Sequence, residues 1–302
     1  MTVTPNPLAN PLAALSNALT DQVVAAAPRV VALHMRHGRH LTATVWRGDL
    51  IVASEQTLPR RDRFPVTLGD GTESEAEVLG RDDTTNLALL RLAAPTTLET
   101  PAEGIARTGA LALAIGARKD GLASACLGVV NQVGPAWTSQ AGGRIDAYVK
   151  VDLGMAPSEE GGPVLDPDGG LIGVSTFGPR GQVIVIPHAT IERVIPALES
   201  GTAPARGWLG AALQPVAVPD LEDEAPSHGF MIMSVVADGP AAKAGVLPGD
   251  IVIALAGQPV RRGLRLSSLF GPDSIDKPLE LRLVRGGAIH TLTVTVTERP
   301  VE

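Results

Sequence analysis

Apolar positions in this chain fall in short runs that alternate with polar residues or break at Gly, Pro and charged turns. Val30-Val31-Ala32-Leu33 is continuous, and Leu41-Thr42-Ala43-Thr44-Val45-Trp46 alternates. Arg47-Gly48-Asp49 makes a turn before Leu50-Ile51-Val52-Ala53. The pattern continues through Phe64-Pro65-Val66-Thr67-Leu68, a Gly69-Asp70-Gly71 turn, Ala76-Glu77-Val78-Leu79-Gly80 and Leu87-Ala88-Leu89-Leu90-Arg91-Leu92. Strands this short, with turns every ~8–12 residues, predict a sandwich or barrel. A Pro/Thr/Glu-rich link over 94–104 leads to a second strand-rich half, roughly 105–190. Its predicted strands are 110–116, 127–130, 145–151, 171–176 and 183–187, and a short helix over 189–198 closes it. Before all this, residues 1–20 are polar and proline-spaced, with Leu8, Leu12, Leu15 and Leu19 at helical spacing. They read as an N-terminal arm, and the strand texture is expected from Asp21.

Ser200-Gly201-Thr202-Ala203-Pro204 marks a linker over 200–205. A smaller unit follows over 206–302. Phe230-Met231-Ile232-Met233-Ser234-Val235-Val236 reads as a strand. Gly239-Pro240-Ala241-Ala242-Lys243-Ala244-Gly245-Val246 reads as a turn of helix, with Pro near its start and Gly at its end. Two strands over 279–284 and 289–296, joined across Arg285-Gly286-Gly287, end the unit.

Composition narrows the function classes. Aromatic residues are only 3% of the chain, so Val, Leu, Ile and Ala must fill the cores. The formal net charge of -7 lacks the basic face a nucleic-acid partner needs. No apolar run approaches the ~20 residues of a membrane span. The start, Met1-Thr2-Val3-Thr4-Pro5-Asn6-Pro7, shows neither a basic nor an apolar leader region, so a cytoplasmic location is expected. The single cysteine, Cys126, sits among small and apolar residues and reads as a buried hydrophobe.

Two stretches carry a family resemblance. Gly239-Pro240-Ala241-Ala242-Lys243-Ala244-Gly245-Val246-Leu247-Pro248-Gly249-Asp250-Ile251-Val252-Ile253-Ala254-Leu255-Ala256-Gly257 resembles the PDZ wording of HtrA/Deg proteins. Ala112-Leu113-Ala114-Ile115-Gly116, Asp152, Gly161-Gly162-Pro163 and Leu171-Ile172-Gly173-Val174 fall where that family's trypsin-like domain has them. The resemblance covers nearly the whole chain. It implies an all-β-dominated, two-barrel trypsin-like domain over 21–199 (barrels about 21–93 and 105–190), then one PDZ domain over 206–302. Such proteins commonly trimerise through their N-terminal segments, so the arm is either a loose tail with a short helix or an oligomerisation element.

The resemblance also locates the family's catalytic positions, and each departs. In Ile51-Val52-Ala53-Ser54-Glu55-Gln56-Thr57-Leu58, Gln56 falls on the His. In Asp82-Asp83-Thr84-Thr85-Asn86-Leu87, Asn86 falls on the Asp. In Ala156-Pro157-Ser158-Glu159-Glu160-Gly161-Gly162-Pro163, Glu160 falls on the Ser, and Ser158 on the Gly that precedes it by two. No His lies between His40 and His188, so a shift of register does not rescue the base. A Ser nucleophile needs a base within hydrogen-bond reach and an acid to orient that base. A catalytically inactive member, a pseudoprotease, is therefore expected. Gln56 is expected to donate to Glu160, with Asn86 joining or flanking the pair and backbone N–H groups of the old oxyanion loop capping the carboxylate.

Other chemistry is weaker. Adjacent Glu159 and Glu160 should point apart, which disfavours a catalytic carboxylate pair. His34, His37 and His40, spaced by three with Arg36 and Arg39 between, read as a solvated hairpin rather than a metal site. Lys243, Arg261 and Arg262 read as solvated surface. No cofactor is expected. In the last unit Trp208-Leu209-Gly210-Ala211 falls on the PDZ carboxylate loop, and Leu264, Leu266 and Leu269 on the opposite groove wall, so a partner's C-terminal peptide is the expected ligand. The resulting expectation is a non-catalytic protein-binding scaffold, assembly factor or subunit, in a homo- or hetero-oligomer. The alternatives are an inactive regulatory subunit of an active HtrA-type protease and, more remotely, an enzyme with a repurposed cleft.

Overall fold

The run-and-turn pattern of residues 30–92 closes into a six-stranded antiparallel barrel. The computed structural model describes residues 10–201, 207–218, 228–261, 270 and 274–298. The chain divides into two units, Met1–Ser139 with Arg144–Ala203, and Gln140–Gly143 with Pro204–Glu302.

In the first unit, helix α1 (Pro11–Ala26) is capped by Asn10, whose Oδ1 accepts from Ala13 N at 3.0 Å. The helix continues through Ala26, past Asp21, where strand texture was expected. Leu19, Val23 and Ala26 share one helix face and pack on the core, and this contact decides the local structure. Leu12 remains exposed, and Leu8 lies outside the described residues. The first barrel contains β1 (Val30–His34), β2 (His40–Arg47), β3 (Leu50–Ser54), β4 (Arg63–Leu68), β5 (Glu73–Asp82) and β6 (Leu87–Leu92), in the order β1-β2-β3-β6-β5-β4, with β4 pairing back to β1. Closure removes free sheet edges. The continuous apolar run of β1 follows from burial on both faces: Val31 and Leu33 fill the barrel, while Val30 and Ala32 join the core shared with the second barrel.

The second barrel contains β7 (Leu111–Ala117), β8 (Ala123–Gly134), β11 (Tyr148–Asp152), β12 (Pro163–Leu165), β13 (Leu171–Phe177) and β14 (Val183–Pro187), in the order β11-β14-β13-β12-β7-β8. Between β8 and β11, β9 (Trp137–Thr138) pairs with β10 (Arg144–Ile145). The single strand expected over 145–151 is thus split. Asp146 sits at the break and accepts from Thr190 Oγ1 and Arg193 Nε, both at 3.0 Å, on helix α2 (His188–Glu199).

The second unit contains β15 (Gly207–Trp208), β16 (Ala211–Ala217), β17 (His228–Val235), α3 (Pro240–Lys243), β18 (Ile251–Leu255), β19 (Gln258–Pro259), β20 (Pro278–Arg285), β21 (Ala288–Thr295) and β22 (Thr297–Glu298). Its sheet runs β16-β17-β18-β20-β21 and packs on Phe230, Val252, Leu281 and Val294. Among the described residues β16 pairs only with β17, so it is an edge. Buried Asp250 anchors the α3–β18 turn. It accepts from Leu247 N at 2.8 Å and from Arg285 through two nitrogens at 2.7 Å each. No helix among the described residues is long and apolar enough to cross a membrane.

Candidate functional site

Gln56, Asn86 and Glu160 converge at the seam between the two barrels. Gln56 is carried there by the 3-10 turn Glu55–Thr57 that ends β3. Asn86 precedes β6 in the left-handed region, φ 60°, a conformation Asn tolerates better than most residues. Its carbonyl accepts from Glu55 N at 3.2 Å and its Oδ1 from Gln56 N at 2.7 Å, so the two turns hold each other. Glu160 follows the 3-10 turn Pro157–Glu159 and leads into β12.

The Glu160 carboxylate is buried, 2% exposed, and clasped from both barrels. Its Oε1 accepts from Ser54 Oγ at 2.7 Å, Gln56 Nε2 at 2.6 Å, Thr176 Oγ1 at 2.8 Å and, at the long limit, Phe177 N at 3.4 Å. Asn86 Nδ2 donates to Ser54 Oγ at 3.0 Å and to Thr176 Oγ1 at 2.7 Å, which leaves both hydroxyl hydrogens to point at Glu160. The expected Gln56–Glu160 bond is present, and Asn86 joins it through two hydroxyls. Ser54 and Thr176 were missed by sequence reasoning. The available signal was a hydroxyl at the end of an apolar strand run in Leu50-Ile51-Val52-Ala53-Ser54 and in Ile172-Gly173-Val174-Ser175-Thr176.

The expected capping of Glu160 by the 158–162 loop does not occur. Glu159 N, Gly161 N and Gly162 N donate instead to Ala156 O, Ser175 O and Glu159 O. Among the described residues the one backbone donor to the carboxylate is Phe177 N, on β13. The loop is fixed by Thr42 Oγ1 on Ser158 O and Thr44 Oγ1 on Gly161 O, both at 2.8 Å. A Cβ on Gly161 would lie 2.4 Å from Thr42 O, and one on Gly162 only 2.0 Å from Ile115 O. Gly161 is thus required by backbone packing between the barrels and Gly162 by packing within the second, whatever chemistry the neighbouring side chain performs.

The remaining candidates separate. Glu159 points away from Glu160 and accepts from Ser124 Oγ at 2.6 Å and Ala156 N at 2.7 Å. Cys126 Sγ lies 3.7 Å from Glu159 Oε2, and burial together with that carboxylate pushes its thiol above the usual range, away from reactivity. His34 and His40 pair across the β1–β2 hairpin and bond Thr67 Oγ1 and Ala117 O. Among the described residues no group of three potential ligands is placed to hold a metal. In the second unit Leu209 is buried in the core, while Trp208 is half-buried. The carbonyls of Leu209 and Gly210 accept from Ala241 N at 2.8 Å and Val236 N at 2.7 Å, which pins the loop that leads into the edge strand β16. Leu264, Leu266 and Leu269 lie outside the described residues.

Comparison with known proteins matches two domain models. Residues 41–174 match the trypsin-like peptidase domain, and residues 207–296 match the PDZ domain. A protein of Halomonas elongata named probable periplasmic serine endoprotease DegP-like is 30% identical over 83% of this chain and 54% of its own length. A Brucella suis protein of the same name is 28% identical over 83% of this chain and 50% of its own. The chain therefore spans about half the length of the curated relatives it matches. Among solved structures, the HtrA-type protease AlgW with decapeptide aligns with TM-score 0.69 at 23% identity, covering 94% of this chain and 99% of that one. A serine endoprotease from Yersinia pestis aligns with TM-score 0.63 at 23% identity, covering 93% and 98%.

These relatives correct two expectations. They are named serine endoproteases, which points to protease function and overturns the scaffold, assembly-factor or regulatory-subunit reading. That reading extended three side chains to the role of the whole chain, whereas side chains at one seam bear on mechanism. They are also named periplasmic, which overturns the cytoplasmic expectation. That expectation rested only on a leader not being visible.

Proposed function

We propose, for a chain that joins a trypsin-like serine protease domain of the HtrA/DegP family to one PDZ domain, that it engages polypeptides in the periplasm and that Gln56, Asn86 and Glu160 do not operate as a serine-protease relay. The supporting observation is the clasped Glu160. Its buried carboxylate, with donors from both barrels on Oε1, is a satisfied structural anion. A nucleophile needs a free face and a base to take its proton. The Gln56 amide takes no proton near neutral pH, and its hydrogens face Glu160 and Thr176. Negative charge at this position also opposes an oxyanion forming beside it. Loss of a nucleophile or a base from such a relay costs on the order of 10⁶ in kcat. The pseudoprotease reading is thus a statement about mechanism at this seam.

Polypeptide engagement rests on the second unit. The edge strand β16 can accept an extended chain as an added strand, with the loop that precedes it as the place for the terminal carboxylate. The test uses the purified full chain with unfolded casein and a fluorophosphonate probe. Casein binding is expected, with no fluorophosphonate labelling at the seam. Cleavage that Glu160→Ala abolishes overturns the mechanistic half, and failure to bind any unfolded polypeptide overturns the other.

A further inference from the structure

A cavity of about 400 Å³ lies beside the seam and takes no part in the Glu160 clasp. One wall is the turn between β1 and β2, with Arg36, His37 and Arg39; the other is the segment after Gln56, with Thr57, Arg60 and Arg61. Four arginines and no carboxylate line it, in a chain whose formal net charge is -7. Arg36 and Arg39 are exposed. The nearby Glu55 is buried and shared between Arg60 at 3.3 Å and Arg81 at 3.5 Å, so it offsets Arg60 and not Arg36, Arg39 or Arg61.

Arg61 is the best-positioned member. Its guanidinium stacks over Phe64, 4.2 Å from the ring centre, and donates to His34 O at 2.5 Å, while its Nε is buried without a hydrogen-bond partner. Burial and the charge of Arg36 both lower its pKa, the consequence of a cation held among cations. His34 beside it is likewise pushed down by burial, His40 and Lys119. Gathering like charges around a concave surface focuses positive potential there, and an anionic ligand relieves it. Guanidinium forks match carboxylates two-to-two. The volume falls within the ~300–1,000 Å³ range of ligand pockets, so it admits more than one small anion.

We propose that this cavity binds a run of Asp or Glu side chains in a polypeptide lying along the seam. The placement favours a peptide over other polyanions, because Thr57, which lines the cavity, directly follows Gln56 in the seam turn. The inference rests on the polypeptide-engagement reading and adds the charge class of the ligand.

The test measures fluorescence anisotropy of the full chain with a rhodamine-labelled Glu-rich peptide and with its Gln counterpart, at low and at physiological salt. The Glu-rich peptide is expected to bind about tenfold tighter at low salt and to lose most of that margin as salt rises. The Arg36→Ala/Arg39→Ala variant, altered only at exposed positions and checked for folding by circular dichroism, is expected to bind both peptides equally. Equal binding by the unmodified protein overturns this inference and leaves the polypeptide reading standing. Binding of neither peptide, nor of unfolded casein, overturns that reading as well. A Glu preference that survives in the double variant, or tighter binding of an oligothymidylate than of the Glu-rich peptide, also overturns it.

Discussion

Replacing Glu160 by Ala removes a side chain that both barrels hold. Ser54 and Gln56 reach it from the first barrel at 2.7 and 2.6 Å, and Thr176 reaches it from the second at 2.8 Å. Hydrogen bonds to a charged group contribute about 1.5–3 kcal/mol each. The sum overstates the loss, for two reasons. Deletion also relieves the desolvation cost of a carboxylate that is 2% exposed. The donors also keep other acceptors: Gln56 Nε2 retains Thr176 Oγ1 and Phe177 O, both at 3.0 Å. The net expectation is about 3 kcal/mol for Glu160→Ala. At roughly 2–4 °C per kcal/mol for a domain of this size, the first unit's Tm falls by about 6–12 °C. Differential scanning calorimetry of the full chain reads this directly, with the second unit's transition as internal reference. A double-mutant cycle with Gln56→Ala then isolates the pair, with an expected coupling of about 1.5 kcal/mol. Burial makes that coupling nearly insensitive to salt. A Tm shift within about 1 °C, or additivity within ~0.5 kcal/mol, refutes the claim that Glu160 ties the barrels together.

Three other outcomes are expected. The triple variant Gln56→His/Asn86→Asp/Glu160→Ser should remain unlabelled by fluorophosphonate, because the segment before position 160 is wound into the 3-10 turn Pro157–Glu159 with Ser158 in place of the family's Gly; strong labelling would show that the loop re-aims its N–H groups. Gly162→Ala forces a Cβ to 2.0 Å from Ile115 O and should lower the first unit's stability by more than ~3 kcal/mol in urea titration. Burial pushes the Asp250 carboxyl up, but the Arg285 guanidinium and the Leu247 N–H outweigh it and hold the group below its usual range. Its stabilisation is therefore present above the unfolded Asp pKa of about 4 and lost as pH falls through the lower folded value. The second unit's Tm should drop on acidification below about pH 4, and Asp250→Asn should cost about 2–3 kcal/mol at pH 7 and flatten that dependence, with Arg285 partly solvated.

Much of this protein is legible along the chain. The periodicity of apolar positions and the Gly, Pro and Asp turns determine the strand-rich texture and its division near 200–205, because a pleated strand half-buried in a barrel shows its burial every second residue. The identities of Gln56, Asn86 and Glu160 are facts of sequence, and the family resemblance singles them out as a set. Only the closed barrels decide the rest. Leu19, Val23 and Ala26 extend α1 because a core waits on that face, and Asp146 splits a strand because α2 offers Thr190 and Arg193. Ser54 and Thr176 become ligands of Glu160 although they stand 106 and 16 residues from it. The Gly161 and Gly162 N–H groups turn to backbone carbonyls for the same reason: hydrogen-bond partners distant in sequence are chosen by which strands meet, and that is settled only when both barrels have closed.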